Sequence, residues 1–347
     1  MLTHTRISLF ASPRRHLSFF RYHSTGPVDD LHTVGDVLRY AVTRFRGARL
    51  TYGQGSTGAF SDAALMLAYT LQVGVKDGDV LATWGNCRLT TSERRHLMEV
   101  IDDRCKTGKP MAYLVNGCYQ QGEPFHINES VLIPRSFLGD ILASGGKAEN
   151  GDGGVLFHPH KVKSVWDLCT GSGCLAILST KLLPNVAEVL ATDVSDEALD
   201  VARINVADHG VAATVRVLRG DLFAAAPAQR VDLIVSNPPY VDAAAMQALP
   251  PAYRAEPSLA LDGGADGMRV VSRILRGAAA HLKPNGGLLI EVGRLKPTIE
   301  RQHRAFAREV RWLTTELSVD ECFYAPKAVL ARHFGAAAAA AGSPHGS

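Results

Sequence analysis

The chain has 347 residues, 46% of them hydrophobic and 20% charged, which is the composition of a globular protein long enough to bury a core in each of two domains. No apolar run approaches the roughly 18 residues that cross a bilayer, so no transmembrane helix and no membrane partner is expected. The net charge of +3 is concentrated at one end: residues 1–28 carry Arg6, Arg14, Arg15 and Arg21 with no Asp, Glu or Lys, and the rest holds 33 basic against 34 acidic residues, which gives no support to a broad nucleic-acid surface and leaves only a local basic groove open.

Residues 1–28 are rich in Arg and Ser and free of acids, with Leu9, Phe10, Leu17, Phe19 and Phe20 scattered and no continuous apolar stretch. That pattern predicts a mitochondrial transit peptide, hence a matrix protein, and not a secretory signal; a tail without a targeting role is the alternative. Residues 29–110 read as a helical domain. Thr33 and Asp36 form a near capping box ahead of Val34, Val37, Leu38, Ala41, Val42 and Phe45 at helical spacing, and Gly47 ends the run. Ser61 is expected to cap a second helix through Ala64, Leu65, Ala68 and Leu71. A third begins near Thr91, carries Leu97, Ile101 and Cys105, and stops at Gly108. Arg94, Arg95, Asp102 and Asp103 read as its solvated face.

From Met111 the period changes. Tyr113-Leu-Val, Asn116-Gly117 and Cys118-Tyr119 predict a hairpin turning at Asn-Gly, and Phe125–Ile127 and Val131–Ile133 continue it to Arg135. Residues 111–135 are therefore a β connector between domains. Residues 136–163, Gly-rich and polar from 144, are expected to be a flexible linker. His158 and His160 there have no companion ligands, and Cys87, Cys105, Cys118, Cys169, Cys174 and Cys322 show no C-x-x-C pair. Free thiols and no metal are expected.

Residues 164–334 alternate strand and helix. The strands begin near Val165, Val189, Thr214, Val231 and Leu288, with helices near 174–182, 196–209 and 266–282. Two further strands are expected at Arg311–Glu316 and Ala328–Ala331. Such alternation predicts an α/β fold, a mostly parallel sheet covered on both faces. The Ala-rich tail, residues 335–347, is low in complexity and carries no assigned role.

Three of the strands end in a pattern with chemical meaning. The first runs Asp167-Leu-Cys-Thr170-Gly171-Ser172-Gly173, where small residues let backbone approach a ligand closely. The second ends at Asp193, placed to accept from both hydroxyls of a ribose. The third leads to Gly220-Asp221-Leu222, a carboxylate at the height of an adenine amine. Read singly, Asp193 is equally a helix cap and Asp221 a turn residue. With no full G-x-G-x-x-G and no basic residue for a pyrophosphate, the set suits S-adenosyl-L-methionine (SAM) better than NAD or ATP. A fourth strand is broken at once by Asn237-Pro238-Pro239-Tyr240, because two prolines cannot donate to a ladder. All four strand ends share the sheet edge where open α/β folds bind ligands.

This constellation resembles the class I SAM-dependent methyltransferases, whose fold is a Rossmann-like seven-stranded sheet. Within them Asn-Pro-Pro-Tyr marks enzymes that methylate amino groups of glutamine amides, adenine or cytosine. Residues 30–332 resemble the HemK-like protein-glutamine methyltransferases, through Val131-Leu-Ile-Pro-Arg135 and Glu256-Pro-Ser-Leu-Ala-Leu-Asp-Gly-Gly-Ala-Asp-Gly267 as well. Arg135-Ser-Phe-Leu-Gly-Asp140, Arg88-Leu-Thr-Thr-Ser-Glu93 and Tyr52-Gly-Gln-Gly55 are closer to the branch acting on ribosomal protein L-three than to the release-factor branch.

The resemblance implies that SAM is held by Asp167, Thr170, Gly171, Ser172, Gly173, Asp193, Asp221, Leu222 and Asn237. It also implies that Asn237, Pro238, Pro239 and Tyr240 form the catalytic tetrapeptide. There the Asn237 oxygen and the Pro238 carbonyl accept both hydrogens of a planar –NH2, and Tyr240 packs on its plane. The expected partners are L-three of the assembling mitochondrial large ribosomal subunit or, alternatively, a mitochondrial release factor. An adenine amino-methyltransferase, which should carry a basic target-recognition region, and an inactive assembly factor are the remaining readings. No direct nucleic-acid substrate is expected.

Overall fold

In a computed structural model of the chain, residues 28–53, 55–73, 80–146, 155–315 and 319–335 are described. The expected transit peptide at 1–28 (all but its last residue), the middle of the expected linker and the tail beyond Gly335 lie outside the described residues.

The amino-terminal part is a helical domain around its own core. Helices Val34–Gly47, Ala59–Thr70 and Thr91–Thr107 enclose Val37, Phe45, Met66, Leu67, Leu97 and Ile101. Thr33 and Asp36 complete the capping box of the first, and Gly108, at φ 68°, ends the third in the left-handed conformation that glycine tolerates. Ser61 does not cap the second helix. The cap position is Gly58, three residues earlier, which puts Asp62 in the helix's first turn, where the carboxylate meets Arg104 at 2.9 Å. The Arg104 guanidinium, 1% exposed, also donates to the carbonyls of Thr51, Gly108 and Lys109. Of the expected solvated charges, Arg95 and Asp103 are exposed, but Arg94 donates to the Val28 carbonyl and Asp102 pairs with Arg44.

The hairpin exists, with a different turn. Met111–Leu114 is one turn of helix, and the strands are β1 (Gly117–Gln120) and β2 (Glu123–His126), joined by Gln121 and Gly122 at φ 51° and 71°. Two positive φ angles make the tight hairpin turn. Gly117 serves close packing instead: a Cβ there would lie 1.9 Å from the Tyr69 ring. Val131–Ile133 lies outside any strand, with a bend at Val131. The linker expectation fails at its start, where Leu138–Ala143 is a helix burying Leu138, Ile141 and Leu142 in the main core. Apolar spacing there outweighs the glycines that follow. His158 and His160 are exposed.

The main sheet has seven strands. They are β3 (Ser164–Leu168), β4 (Glu188–Asp193), β5 (Val215–Arg219), β6 (Val231–Ser236), β9 (Leu282–Glu291), β10 (Arg311–Thr314) and β11 (Val319–Pro326). A small parallel pair, β7 (Val241–Asp242) with β8 (Asp262–Gly264), stands apart. The order is β10-β11-β9-β6-β3-β4-β5, parallel from β9 through β5, with β11 antiparallel to both neighbours. Side chains alternate across it. Val165 and Val189 join one core with helices Cys174–Leu182 and Asp196–Asp208, while Trp166 and Leu190 join the other with helices Val271–His281 and Lys327–Phe334. The last strand is therefore Val319–Pro326, and Ala328–Ala331 is helical. Pro326 closes the ladder, and a short run such as Ala-Val-Leu-Ala fits either period. The helix expected from 266 begins only at Val271.

Candidate functional site

The carboxyl ends of β3, β4, β5 and β6 open onto one cavity of about 540 Å³. Its sheet-side wall carries Thr170, Gly171, Ser172, Asp193, Asp221, Leu222, Asn237 and Pro239. Of the residues picked out in the sequence, Asp167, Gly173, Pro238 and Tyr240 lie behind that wall.

The turn after β3 is sharp, with Cys169, Gly171 and Gly173 at φ 59°, 53° and 79°. A Cβ at Gly171 would meet nothing, so glycine there answers the backbone angle. One at Gly173 would come within 3.2 Å of Ala202. Cys169 holds the same angle with a side chain, a strain of about 1–3 kcal/mol, kept where the surrounding structure fixes it. Beneath the turn Asp167 is 1% exposed. Its Oδ2 accepts from the Thr170 hydroxyl (2.6 Å) and the Ala176 N–H (3.1 Å), while Oδ1 has no partner among the described residues. Burial pushes its pKa up to about 7.

Asp193 accepts three backbone N–H groups, from Gly171 (3.0 Å), Val194 (2.8 Å) and Ser195 (3.1 Å). Burial raises its pKa against those bonds. It is thus more than a cap, since the cap of the Asp196–Asp208 helix is Ser195. Asp221 is exposed, and its Oδ2 accepts from the Arg273 guanidinium at 2.7 Å. Leu222, at φ 52°, folds its side chain under the rim.

β6 stops where Pro238 would have to donate, and leaves Asn237 on the wall. Tyr240 turns away from the cavity and donates its hydroxyl to Glu291 Oε1 at 2.9 Å. Glu291, at the end of β9, also accepts from the Ser136 hydroxyl (2.7 Å) and the Phe137 N–H (3.1 Å). Burial raises the pKa of Glu291, and burial together with that carboxylate pushes Tyr240 well above the phenol range.

The facing wall comes from Ser130, Leu132, Pro134, Arg135, Pro257 and Leu259. These two segments are joined across 121 residues by an ion pair in which Glu256 is buried and Arg135 is partly exposed on the cavity wall. Arg135 donates to both oxygens of Glu256 (2.5 and 2.8 Å), and the Ile133 N–H adds a third bond at 3.1 Å. Tyr253 covers the guanidinium at 5.6 Å. Sequence reasoning quoted both stretches without pairing them; an Arg and a Glu each beside a proline was the available signal. The same is true of Glu291, which reads only as a strand end.

The donor set decides what the cavity suits. Among the described residues no lysine lines it, and the three arginines that do are all engaged: Arg135 with Glu256, Arg269 with Asp262, Arg273 with Asp221. Among these residues a phosphate finds no free cation. A nucleoside joined to a cationic group finds Asp193, Asp221 and, beneath the turn, the unpartnered oxygen of Asp167.

Residues 155–249 match the family model of the methyltransferase small domain. Three bacterial relatives are each named ribosomal protein uL3 glutamine methyltransferase. The one from Bradyrhizobium diazoefficiens is 45% identical over 296 residues, 85% of this chain and 91% of its own length. That from Bordetella pertussis is 40% identical over 295 residues, covering 84% and 94%. That from Burkholderia pseudomallei is 40% identical over 290 residues, covering 82% and 91%.

Proposed function

The chain belongs to the family of ribosomal protein uL3 glutamine methyltransferases, and on that premise we propose that it methylates a glutamine side-chain amide of ribosomal protein uL3, using SAM. SAM supplies the methyl as an electrophile on a cationic sulfur. Asp193 accepts from the ribose, Asp221 and Leu222 flank the base, and Thr170, Gly171 and Ser172 take the amino-acid end. Asp167 and Gly173 act from beneath by shaping the turn. The observation that carries this reading is the cavity on which that turn, two acidic strand ends and Asn237 all open, with every arginine of its wall among the described residues already paired.

The amide nitrogen needs orientation more than a base. Its lone pair is delocalised, and the Asn237 side-chain oxygen, on the cavity wall, holds one of its hydrogens and aims it for in-line transfer, whereas Pro238, expected to supply the second acceptor, does not line the cavity. Bound SAM would give its methyl to the nitrogen with its sulfur as the leaving group, and the surplus proton would pass from the nitrogen to water. The Tyr240–Glu291–Ser136 network fixes the tetrapeptide from behind. The helical domain and the wall around Arg135 receive the protein substrate.

The composition of residues 1–28 supports action in the mitochondrial matrix, on uL3 of the assembling mitochondrial large subunit. Mass spectrometry of mitochondrial ribosomal proteins and release factors, from cells with and without the chain, tests this. The expected result is loss of one methyl increment from a glutamine of uL3 alone. An increment lost from a release factor instead overturns the substrate, and none lost from either overturns the activity.

A further inference from the structure

Between the hairpin and the turn that lines the cavity stands one side chain. Asn205, on the Asp196–Asp208 helix, is 1% exposed. Its Oδ1 accepts the His126 N–H at 2.7 Å, and its Nδ2 donates to the His126 carbonyl (2.9 Å) and the Ser172 carbonyl (2.8 Å). Both amide hydrogens are therefore spent, one on the end of β2 and one on a residue of the cavity wall. One helical turn earlier, Ala202 packs on Gly173. The same helix starts at the rim, where the Ser195 N–H binds Asp193.

The hairpin is in turn held by the helical domain. The Tyr69 hydroxyl donates to the Cys118 carbonyl at 2.5 Å and the Phe125 carbonyl at 3.3 Å. On its outer side Glu123 pairs with Lys181 at 2.8 Å. A continuous set of bonds thus runs from the helical domain through β1 and β2 to Asn205, and from there into the turn.

We infer that Asn205 is a positioning residue that couples the seating of the hairpin, and with it the helical domain, to the shape of the cofactor turn. The inference rests on the reading of the cavity as a SAM site. Because coupling between two sites is reciprocal, SAM must tighten the hairpin by the factor by which a seated hairpin tightens SAM. A substrate gripped by the helical domain then meets a turn already shaped for the cofactor.

The test uses the full chain with SAM, reading affinity by calorimetry and amide hydrogen exchange over 117–127. In the unmutated protein SAM should slow exchange at His126 and its neighbours. Asn205→Ser and Asn205→Asp should abolish that gain in protection and weaken SAM binding by about tenfold, the size expected when a buried amide loses its partners. Variants that stay folded and keep both the affinity and the SAM-induced protection overturn the inference. Should they not fold, Tyr69→Phe and Glu123→Ala loosen the hairpin from either side without touching Asn205 or the cavity wall. Faster hairpin exchange with weaker SAM binding supports the coupling, and faster exchange with unchanged affinity overturns it. If the unmutated protein binds no SAM, the reading of the cavity itself falls, and that outcome is distinct from the others.

Discussion

The two walls of the cavity are built on opposite plans. The sheet-side wall is assembled from consecutive strand ends, each acidic or polar residue delivered by its own strand within a parallel register. The facing wall is two loops with no ladder between them, joined by Arg135 and Glu256 across 121 residues. In the first, backbone geometry fixes the side chains, so removing one changes binding and leaves the frame. In the second, a pair of charges is the frame. Breaking it should disturb whatever enters from that side and leave the strand ends in place.

The largest effect is expected on the sheet side. Asn237→Ala removes the amide acceptor on the cavity wall, and by analogy with losing one preorganised hydrogen-bonding group kcat should fall by about 10²–10³. SAM affinity and Tm should stay near those of the unmutated protein, as calorimetry and thermal melts would report. Turnover close to the original would remove the tetrapeptide from the mechanism.

Glu256→Gln is the matching change on the facing wall. The part-buried arginine loses its countercharge while the amide keeps the size and one acceptor, so the cost should be about 2 kcal/mol, below the usual penalty for an orphaned buried charge. Denaturant melts should show it, with a higher KM for the protein substrate and little change in SAM affinity. If SAM affinity falls as far as KM rises, the two walls are not independent and the contrast drawn between them fails.

How much of each wall could be read in the sequence follows from the same difference. Asp193 and Asp221 were legible because a strand followed by an acidic residue has one outcome in a parallel sheet. Asn237 was legible because two prolines end a strand wherever it lies. Arg135 and Glu256 sat in recognisable stretches, yet no local rule pairs residues so far apart. Tyr240 shows the limit on the sheet side: it was expected on the substrate plane, and its hydroxyl is bound behind the wall to Glu291. Two of the misread elements share one cause: Gly117 and Ala328–Ala331 take a conformation set by what packs on them, the Tyr69 ring or the sheet face, and not by their own spacing.

Asp193→Ala should be milder than either wall change above. The carboxylate gives up hydrogen bonds to a ligand and to Gly171, and loss of charge-assisted bonds corresponds to about tenfold weaker SAM binding. Since the loop also loses its three N–H contacts, hydrogen exchange at Gly171 and Ser195 should rise with it. An unchanged affinity would mean the ligand does not reach β4.

The smallest effect concerns Asp167 and separates binding on the wall from support beneath it. Its folded pKa, pushed up to about 7 by burial, lies above the ordinary carboxylate value. Its favourable contribution to stability is therefore fully present below about pH 4 and lost as pH rises through about 7, because ionising it in place leaves Oδ1 charged and unpartnered. A cation bound above the turn favours the ionised form and draws that pKa down. SAM binding should then release protons near neutrality and tighten by about fivefold from pH 6 to pH 8. Asp167→Asn, which keeps an acceptor for Thr170 and Ala176, should flatten both the pH dependence of stability and that of affinity. Any titration of the ligand's own amino group is common to the two proteins and cancels in the comparison. Parallel pH curves for the two would show that Asp167 only ties the turn through Thr170, with no electrostatic part in holding the cofactor.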